Sequence, residues 1–213
     1  MGPATEIHVW HAVRTASAAG LLERLSTEER DRAARFRVPR VREDFIFHHA
    51  VLRAILRGVL GREPVMTLTP LGKPVLSAGA LHFNMAHCGP AGLYAVAERE
   101  IGVDLERIRA MRSASAIARR FFTAREHAAI GDSDEAFLTC WTRKEAVLKA
   151  SGKGLTGGLK TFEAFPADLP LTLELERRYT LAPLPQIAGY AAAAAIAGET
   201  AAVLLHGAEQ IVL

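Results

Sequence analysis

The spacing of apolar and polar residues changes along the chain, and each change predicts a different element of secondary structure. Residues 7–13 alternate apolar and polar side chains, which is typical of a strand. Ser26 followed by Glu29 predicts a capping box at the start of a helix. Residues 44–60 carry apolar side chains at helical spacing and stop at Gly61, which predicts a long core helix with a glycine cap.

Further strands and helices are predicted after the turn residues at 72–74. The predicted strands are 81–86, 93–97 and 101–105, followed by helices at 114–122 and 135–150 and by strands near 162, at 171–175 and at 190–196. Strands separated by helices indicate an α/β or α+β fold. At 213 residues, one compact body and two fused, similar halves both remain open.

Composition narrows the class of protein. Half of the residues are apolar and 23% are charged, which is typical of a globular protein. Cys88 and Cys140 are too few for a disulfide framework and favour a reducing compartment, so we expect a cytoplasmic protein. Residues 1–6 show no export or lipidation signal. The apolar segment 187–197 is shorter than the roughly 20 residues that cross a bilayer, so we expect no membrane span and predict a buried strand or helix.

Basic residues are unevenly distributed in a chain of net charge +3. One short segment contains six arginines: Arg30, Arg32, Arg35, Arg37, Arg40 and Arg42. Either the segment binds an anion, or it is a solvated helix face balanced by Glu28, Glu29 and Asp31. We expect no nucleic-acid binding, because the segment lacks interleaved aromatic residues and no recognised motif accompanies it.

Two carboxylates follow an apolar strand. Asp104 and Glu106 are two residues apart, so in a strand they extend from the same face, roughly 7 Å apart. Their repulsion is about 2 kcal/mol at an intermediate dielectric, and a cation would remove it. Alternatively, both acids face water at a strand end, where salt screens them. Oxygen ligands alone suit magnesium, calcium or manganese, and magnesium commonly shares its coordination sphere with substrate phosphates.

A third carboxylate lies in the predicted helix 135–150. Glu145 falls between Trp141 and Leu148 on an apolar stripe, where an unpaired charge costs several kcal/mol unless it binds a cation or another partner. This position favours a functional role. The alternative is an exposed pair with Lys149 four residues later, which stabilises a helix by about 0.2–0.5 kcal/mol.

Five short motifs occur in order along the chain. They are Gly-Lys-Pro at 72–74, Phe-Asn-Met-Ala-His at 83–87, Gly-Val-Asp-Leu-Glu at 102–106, Phe-Phe-Thr-Ala-Arg-Glu at 121–126 and Trp-Thr-Arg-Lys-Glu-Ala-Val-Leu-Lys at 141–149. Together they resemble the 4′-phosphopantetheinyl transferase superfamily. The first two resemble the larger, surfactin-synthetase-activating (Sfp-like) type, and the likeness covers residues 28–158. It implies an α/β (α+β) monomer with two similar pseudo-symmetric halves, 1–100 with the coenzyme A motifs and 101–213 with the catalytic motifs.

The resemblance also implies an activity. A member of the family transfers the 4′-phosphopantetheine arm of coenzyme A to a serine of an apo acyl, peptidyl or aryl carrier protein and releases adenosine 3′,5′-bisphosphate. By matching positions, Asp104, Glu106 and Glu145 would hold Mg²⁺ against the coenzyme's diphosphate. Lys149 would neutralise or protonate the leaving group, and Glu145, Glu126 or a magnesium-bound water would take the serine proton.

Other positions match coenzyme A contacts of the family. They are Lys73, Pro74 and His87, with Arg32 near the position of an N-terminal basic contact. Two residues depart from the family pattern, since Ala86 and Cys88 stand where serines are common. The loss of one ordinary hydroxyl contact would weaken coenzyme binding by about 1 kcal/mol, and we expect Cys88 to be a small packing residue.

The implied partner is a carrier protein of fatty acid, polyketide or nonribosomal peptide biosynthesis. Residues 110–122 are either its contact surface or a buried helix. Two other functions remain open: a non-catalytic module that binds coenzyme A or a carrier, and another magnesium-dependent nucleotide transferase or hydrolase. The second lacks a Gly-rich phosphate loop in this sequence.

Overall fold

The computed structural model of this chain describes residues 6–154, 158–199, 202–211 and 213. Residues 1–5, which belong to the segment where no export signal is expected, lie outside the described residues. So do residues 155–157, near the end of the segment that carries the family resemblance.

The first half of the chain follows its hydrophobic pattern closely. Its elements are β1 (Glu6–Val13), a 3₁₀ helix (Ala19–Arg24), α1 (Thr27–Ala34), α2 (Pro39–Leu60), β2 (Met66–Leu68), β3 (Pro74–Leu76), β4 (His82–Cys88) and β5 (Ala91–Ala97). Ser26 and Glu29 form the predicted capping box at the start of α1. Helix α2 begins with a proline in its first turn and ends at Gly61, whose φ of 66° is readily adopted only without a side chain.

The second half contains three α-helices and five further strands among its described residues. They are β6 (Ile101–Arg107), α3 (Ala114–Phe121), α4 (Ala124–Ile130), α5 (Asp134–Ser151), β7 (Leu171–Glu174), β8 (Arg178–Ala182), β9 (Tyr190–Ala197) and β10 (Ala202–His206). The segment predicted as a buried strand or helix at 187–197 is largely strand β9. The strand predicted near residue 162 is wrong, because Phe162 lies in a loop and its ring packs against the ammonium of Lys144.

Two four-stranded sheets give the chain its mixed α+β fold. The first has the order β10-β1-β5-β4 and the second has the order β6-β9-β8-β7. Strands β1 and β6 each precede a long helix and pair in the same way. Strand β1 pairs antiparallel with β5, which forms a hairpin with β4. Strand β6 pairs antiparallel with β9, which forms a hairpin with β8. This shared order is compatible with two similar halves. The C-terminal strand β10 pairs in parallel with β1, so the first sheet also contains chain from beyond residue 100. The division at residue 100 stays a prediction.

The hydrophobic core joins the two halves at the site described below. Helix α2 covers the first sheet and α5 packs on the second. A further apolar cluster lies between the sheets and contains residues of both, including Ile7, Leu93 and Val103. The side-chain oxygen of Asn84 in β4 accepts a hydrogen bond from the amide of Val103 in β6 at 2.9 Å. Strands β4 and β6 are therefore neighbours. Within the described chain, no helix has the length and apolar character that a membrane span requires.

Candidate active site

A glycine allows strand β6 to lie directly against helix α5. A β-carbon added to Gly102 would lie 2.1 Å from a backbone oxygen of α5 and 2.3 Å from one of its backbone nitrogens, far inside van der Waals contact. Asp104 and Glu106 follow Gly102 at intervals of two and extend from the same face of β6. The close approach therefore places both carboxylates beside α5, the helix that carries Glu145 and Lys149.

Asp104 is the most enclosed of the predicted metal ligands, with 7% of its surface exposed. The ammonium of Lys149 donates a hydrogen bond to its Oδ1 at 2.6 Å. Its Oδ2 is buried and has no hydrogen-bond partner among the residues that the structure describes. Burial raises the pKa of Asp104, and the charge of Lys149 acts in the opposite direction. A buried polar atom without a partner costs about 1–3 kcal/mol, and a bound cation would remove that cost.

The other two acids are half-buried next to Asp104. Glu106 accepts a long hydrogen bond from the Cys88 thiol at 3.7 Å. Glu145 forms no hydrogen bond or ion pair with any other described residue. Burial raises the pKa of Glu106 and of Glu145, and the negative charge of Asp104 raises both further. The three carboxylates therefore interact electrostatically within one site.

The structure excludes one of the two alternatives for Glu145 and adds a buried charged residue on α5. An exposed ion pair between Glu145 and Lys149 does not form, because the ammonium of Lys149 lies on Asp104 instead. The fully buried charged residue of this helix is Lys144, which the sequence analysis did not identify. Glu145 lies at the edge of the apolar stripe, where its carboxylate remains accessible.

The three acids suit a hard divalent cation by their chemistry. All of their donor atoms are carboxylate oxygens, which magnesium prefers. The buried Oδ2 of Asp104 lacks a partner among the described residues, while its Oδ1 pairs with Lys149 and Glu106 pairs with Arg109 at 3.9 Å. Across the same residues, no group of three or more His, Cys, Asp or Glu side chains is arranged to hold a metal ion in this conformation. The site thus has the donor chemistry for the ion, with one oxygen of Asp104 engaged by Lys149.

Glu126 does not belong to this group of acids. Its carboxylate is fully buried and forms an ion pair with Lys144 at 2.8 Å. The amides of Ala164 and Thr123 donate to its oxygens at 2.7 Å and 3.1 Å. Because both oxygens are engaged and no part of the residue reaches solvent, the geometry does not support Glu126 as the acceptor of the serine proton. It anchors α4 and the loop after α5.

Lys73 contacts backbone rather than open solvent. Its ammonium donates to the carbonyl oxygens of Lys149, Ala150 and Ile101 at 2.6, 3.0 and 3.3 Å. These bonds use all three of its N–H groups and satisfy carbonyls at the C-terminal end of α5. Burial lowers the pKa of Lys73. In this conformation Lys73 has no donor left for a phosphate, although it lines a cavity of about 440 Å³. Pro74 is exposed at the start of β3.

His87 and Cys88 precede the tight turn between β4 and β5 and lie close to the acids. The ring of His87 is accessible on one side and packs flat against His48 on the other, with centroids 4.4 Å apart. Its partial burial lowers the pKa of His87. Cys88 is more than a packing residue, because its thiol contacts Glu106. The guanidinium of Arg40 lies 3.6 Å from the position that a β-carbon on Gly89 would occupy, so a cation stands beside the turn.

The interpretation of the arginine segment as a solvated face balanced by Glu28, Glu29 and Asp31 required these acids to pair with its arginines, and they do not pair with its exposed arginines. Glu29 lies 2.5 Å from Arg53 and 2.9 Å from His49, both on α2. Arg32 stacks on Phe45, with its guanidinium carbon 5.4 Å from the ring centroid. No carboxylate in the described part of the chain lies within 4.0 Å of the exposed Arg32, Arg35, Arg37, Arg40 or Arg42. These arginines are therefore available to an anion.

Known proteins share these features of sequence. A family model described as "4′-phosphopantetheinyl transferase superfamily" matches residues 100–195, which include β6 and α5. The chain is 32% identical over 209 residues to the 4′-phosphopantetheinyl transferase HetI of Nostoc sp. (strain PCC 7120), covering 91% of this chain and 88% of that protein. It is 34% identical over 149 residues to the transferase psf-1 of Bacillus pumilus, covering 66% and 63%. The transferase Sfp of Bacillus subtilis (strain 168) is 31% identical over 159 residues, covering 65% and 70%. This chain therefore belongs to the 4′-phosphopantetheinyl transferase superfamily.

Proposed function

We propose that this chain transfers the 4′-phosphopantetheine arm of coenzyme A to a serine of an apo acyl, peptidyl or aryl carrier protein. Adenosine 3′,5′-bisphosphate is the second product. The observation that carries the proposal is the meeting of Asp104, Glu106 and Glu145 beside Lys149, where β6 contacts α5. The relatives' names agree with this activity.

Asp104, Glu106 and Glu145 are the proposed ligands of Mg²⁺. The unpartnered Oδ2 of Asp104 supports this assignment, since a carboxylate oxygen enclosed without a partner is stabilised by a cation. When bound, the ion would neutralise charge on the coenzyme's diphosphate. We therefore expect transfer to stop when EDTA removes divalent cations and to return on addition of magnesium.

The side chains supply positioning and proton transfer. The serine oxygen forms a bond to the phosphorus that bears the pantetheine arm, and the bond from that phosphorus to the bridging diphosphate oxygen breaks. We propose that Glu145 takes the serine proton. Its carboxylate interacts with Asp104 and Lys149 and has no hydrogen-bond partner among the described residues, so an oxygen is available to accept a proton. Lys149, which donates to Asp104 in this conformation, is our proposed group for stabilising the charge on the departing oxygen.

A basic and apolar surface on the second half is the proposed contact for the carrier protein. Helix α3 buries Ala118 and exposes Arg119 and Arg120 on its other side, so the segment is both a buried helix and an accessible face. Phe121, 38% exposed, lines a neighbouring cavity of about 300 Å³ together with Trp141. An acidic carrier helix with an apolar centre suits such a surface by charge and by shape. We further propose a cytoplasmic monomer acting in fatty acid, polyketide or nonribosomal peptide biosynthesis.

The decisive experiment incubates the purified chain with coenzyme A, magnesium and several apo-carriers, and measures carrier mass and adenosine bisphosphate together. We expect one phosphopantetheine per carrier and an equal amount of the nucleotide. Binding of coenzyme A without either product on every carrier would instead support a non-catalytic module. Hydrolysis of coenzyme A without carrier modification would support a hydrolase.

Matched substitutions then test the assigned centre. Glu145→Gln is expected to reduce transfer by a factor of about 10² or more, as the loss of a general base does, while the melting temperature is kept. Glu135→Gln makes the same change in an exposed residue of the first turn of α5 and serves as the control. Equal rates for the two variants would refute the role of Glu145.

A further inference from the structure

A buried histidine on α2 bridges two groups of the first sheet. His48 is fully buried. Its Nδ1 lies 2.6 Å from the hydroxyl of Tyr94 in β5, and its Nε2 lies 2.8 Å from the carbonyl oxygen of Gly89. Burial lowers the pKa of His48 to about 4 and raises the pKa of Tyr94. The neutral ring therefore accepts a hydrogen bond from the tyrosine at Nδ1 and donates one from Nε2–H to the turn.

The turn that His48 contacts is the one that follows His87 and Cys88. Gly89 has a φ of 58°, which residues with a side chain rarely adopt. Its carbonyl oxygen accepts the hydrogen bond from Nε2–H of His48. The next carbonyl, of Pro90, accepts a hydrogen bond from the amide of Arg14 at 2.8 Å. Two successive carbonyls are thus fixed from outside the hairpin, and one of the two donors is a side chain.

The ring of His48 also supports His87 directly. The two imidazoles are 4.4 Å apart and inclined by only 13°. Gly92 pairs with His87 across the β4–β5 ladder, and its lack of a side chain leaves space for the ring of His48. A β-carbon at Gly92 would lie 2.6 Å from Nδ1 of His48 and 2.5 Å from the hydroxyl oxygen of Tyr94. Absence of a side chain at this position is therefore required for the stack.

We propose that His48 is a positioning residue for the coenzyme, which orients His87 by holding the Gly89 carbonyl and by stacking beneath the His87 ring. The proposal rests on the proposed function and on the assignment of His87 as a coenzyme A contact. His48 itself is enclosed and touches no substrate. Its effect on binding passes through the turn and through His87, which is accessible on its outer side.

Two conservative replacements separate the two hydrogen bonds. His48→Gln retains an amide donor near the position of Nε2, whereas His48→Asn is too short to reach Gly89 but can still accept from Tyr94. We expect His48→Asn to raise the KM for coenzyme A by about fivefold to tenfold, the effect of one lost hydrogen bond, with a smaller change in kcat. His48→Gln should stay closer to the wild type. His49→Gln, the neighbouring histidine that contacts Glu29 instead, is the control.

A double-mutant cycle distinguishes positioning from general stability. In a His87→Ala background, His48→Asn should no longer change the KM for coenzyme A, because its effect passes through the removed ring. A KM increase that persists unchanged in that background would overturn the proposal. So would a folded His48→Asn protein with the KM of the His49→Gln control. Absence of transfer by the wild type would refute the proposed function, which is a separate outcome.

A measurement on the wild type keeps the proposal testable if His48→Asn does not fold. Long-range ¹H–¹⁵N spectra report which ring nitrogen carries the proton. We expect a neutral His48 with the proton on Nε2. A proton on Nδ1 would leave the Gly89 carbonyl without its donor and would overturn the proposal.

Discussion

Replacing Gly102 by alanine tests how the active site is assembled. The new β-carbon would lie 2.1 Å from a backbone oxygen of α5, whereas ordinary contact begins at 3.4 Å. Strand and helix would have to separate by about 1 Å, because both atoms in conflict belong to rigid backbone. Such overpacking costs about 1–3 kcal/mol of stability. A displacement of about 1 Å between reacting groups can lower a rate by about 10²-fold. We therefore expect Gly102→Ala to remain folded while it loses most of its activity.

The assay compares carrier modification by mass spectrometry with thermal unfolding of the same samples. Gly58→Ala is the matched control, since Gly58 is exposed in α2 and a β-carbon there would meet nothing within 4 Å. This control should keep its activity and gain up to about 1 kcal/mol of stability from helix propensity. If Gly102→Ala folded and turned over at the wild-type rate, the close contact between β6 and α5 would not be what positions the acids.

Three further changes address residues that support the site. Hydrogen bonds from His49 and other donors outweigh the effect of burial and lower the pKa of Glu29 from 4.5 to about 2. The stabilisation of the folded state by ionised Glu29 is therefore complete above about pH 4.5 and is lost as pH falls towards 2. In urea unfolding, Glu29→Gln should lower the free energy of unfolding by about 3 kcal/mol at pH 7 and by little at pH 2. Lys144→Met should cost about 3–5 kcal/mol in the same assay, because it leaves a buried unpaired charge, and adding Glu126→Gln should restore much of the loss. Lys73→Met should lower melting temperature and kcat together and change the KM for coenzyme A less, whereas a direct phosphate contact would mainly raise KM.

Elements that depend on neighbouring residues were predictable from the sequence. The capping box of Ser26 and Glu29 and the glycine end of α2 at Gly61 depend on contacts within one helical turn, and both form as predicted. The same signal was present at Thr123 and Glu126, which cap α4 in the same way, although the helix was not predicted. A systematic search for capping boxes would have found it.

Features that depend on distant partners could not be predicted in this way. Strand β10 pairs with β1 from the opposite end of the described chain, and its own pattern does not encode that choice. The charged pair of Lys144 and Glu126 is similar, because either residue alone looks like part of a solvated face. Lys73 matches a family position, yet its partners are carbonyls of α5 and β6 that only the tertiary structure brings to it.

The position of Lys73 connects the two halves of the chain to the acids. Its ammonium binds the carbonyl oxygen of Lys149, and the side chain of Lys149 in turn binds Asp104. A movement of the β2–β3 hairpin, which carries Lys73 at its turn, would therefore act on the last turn of α5 and on the charge balance at Asp104. Since Lys73 also lines the cavity beside this hairpin, a ligand that entered it would act on Asp104 and its neighbouring acids through backbone carbonyls. The residue can thus matter to catalysis through the geometry of α5, without any contact to a phosphate.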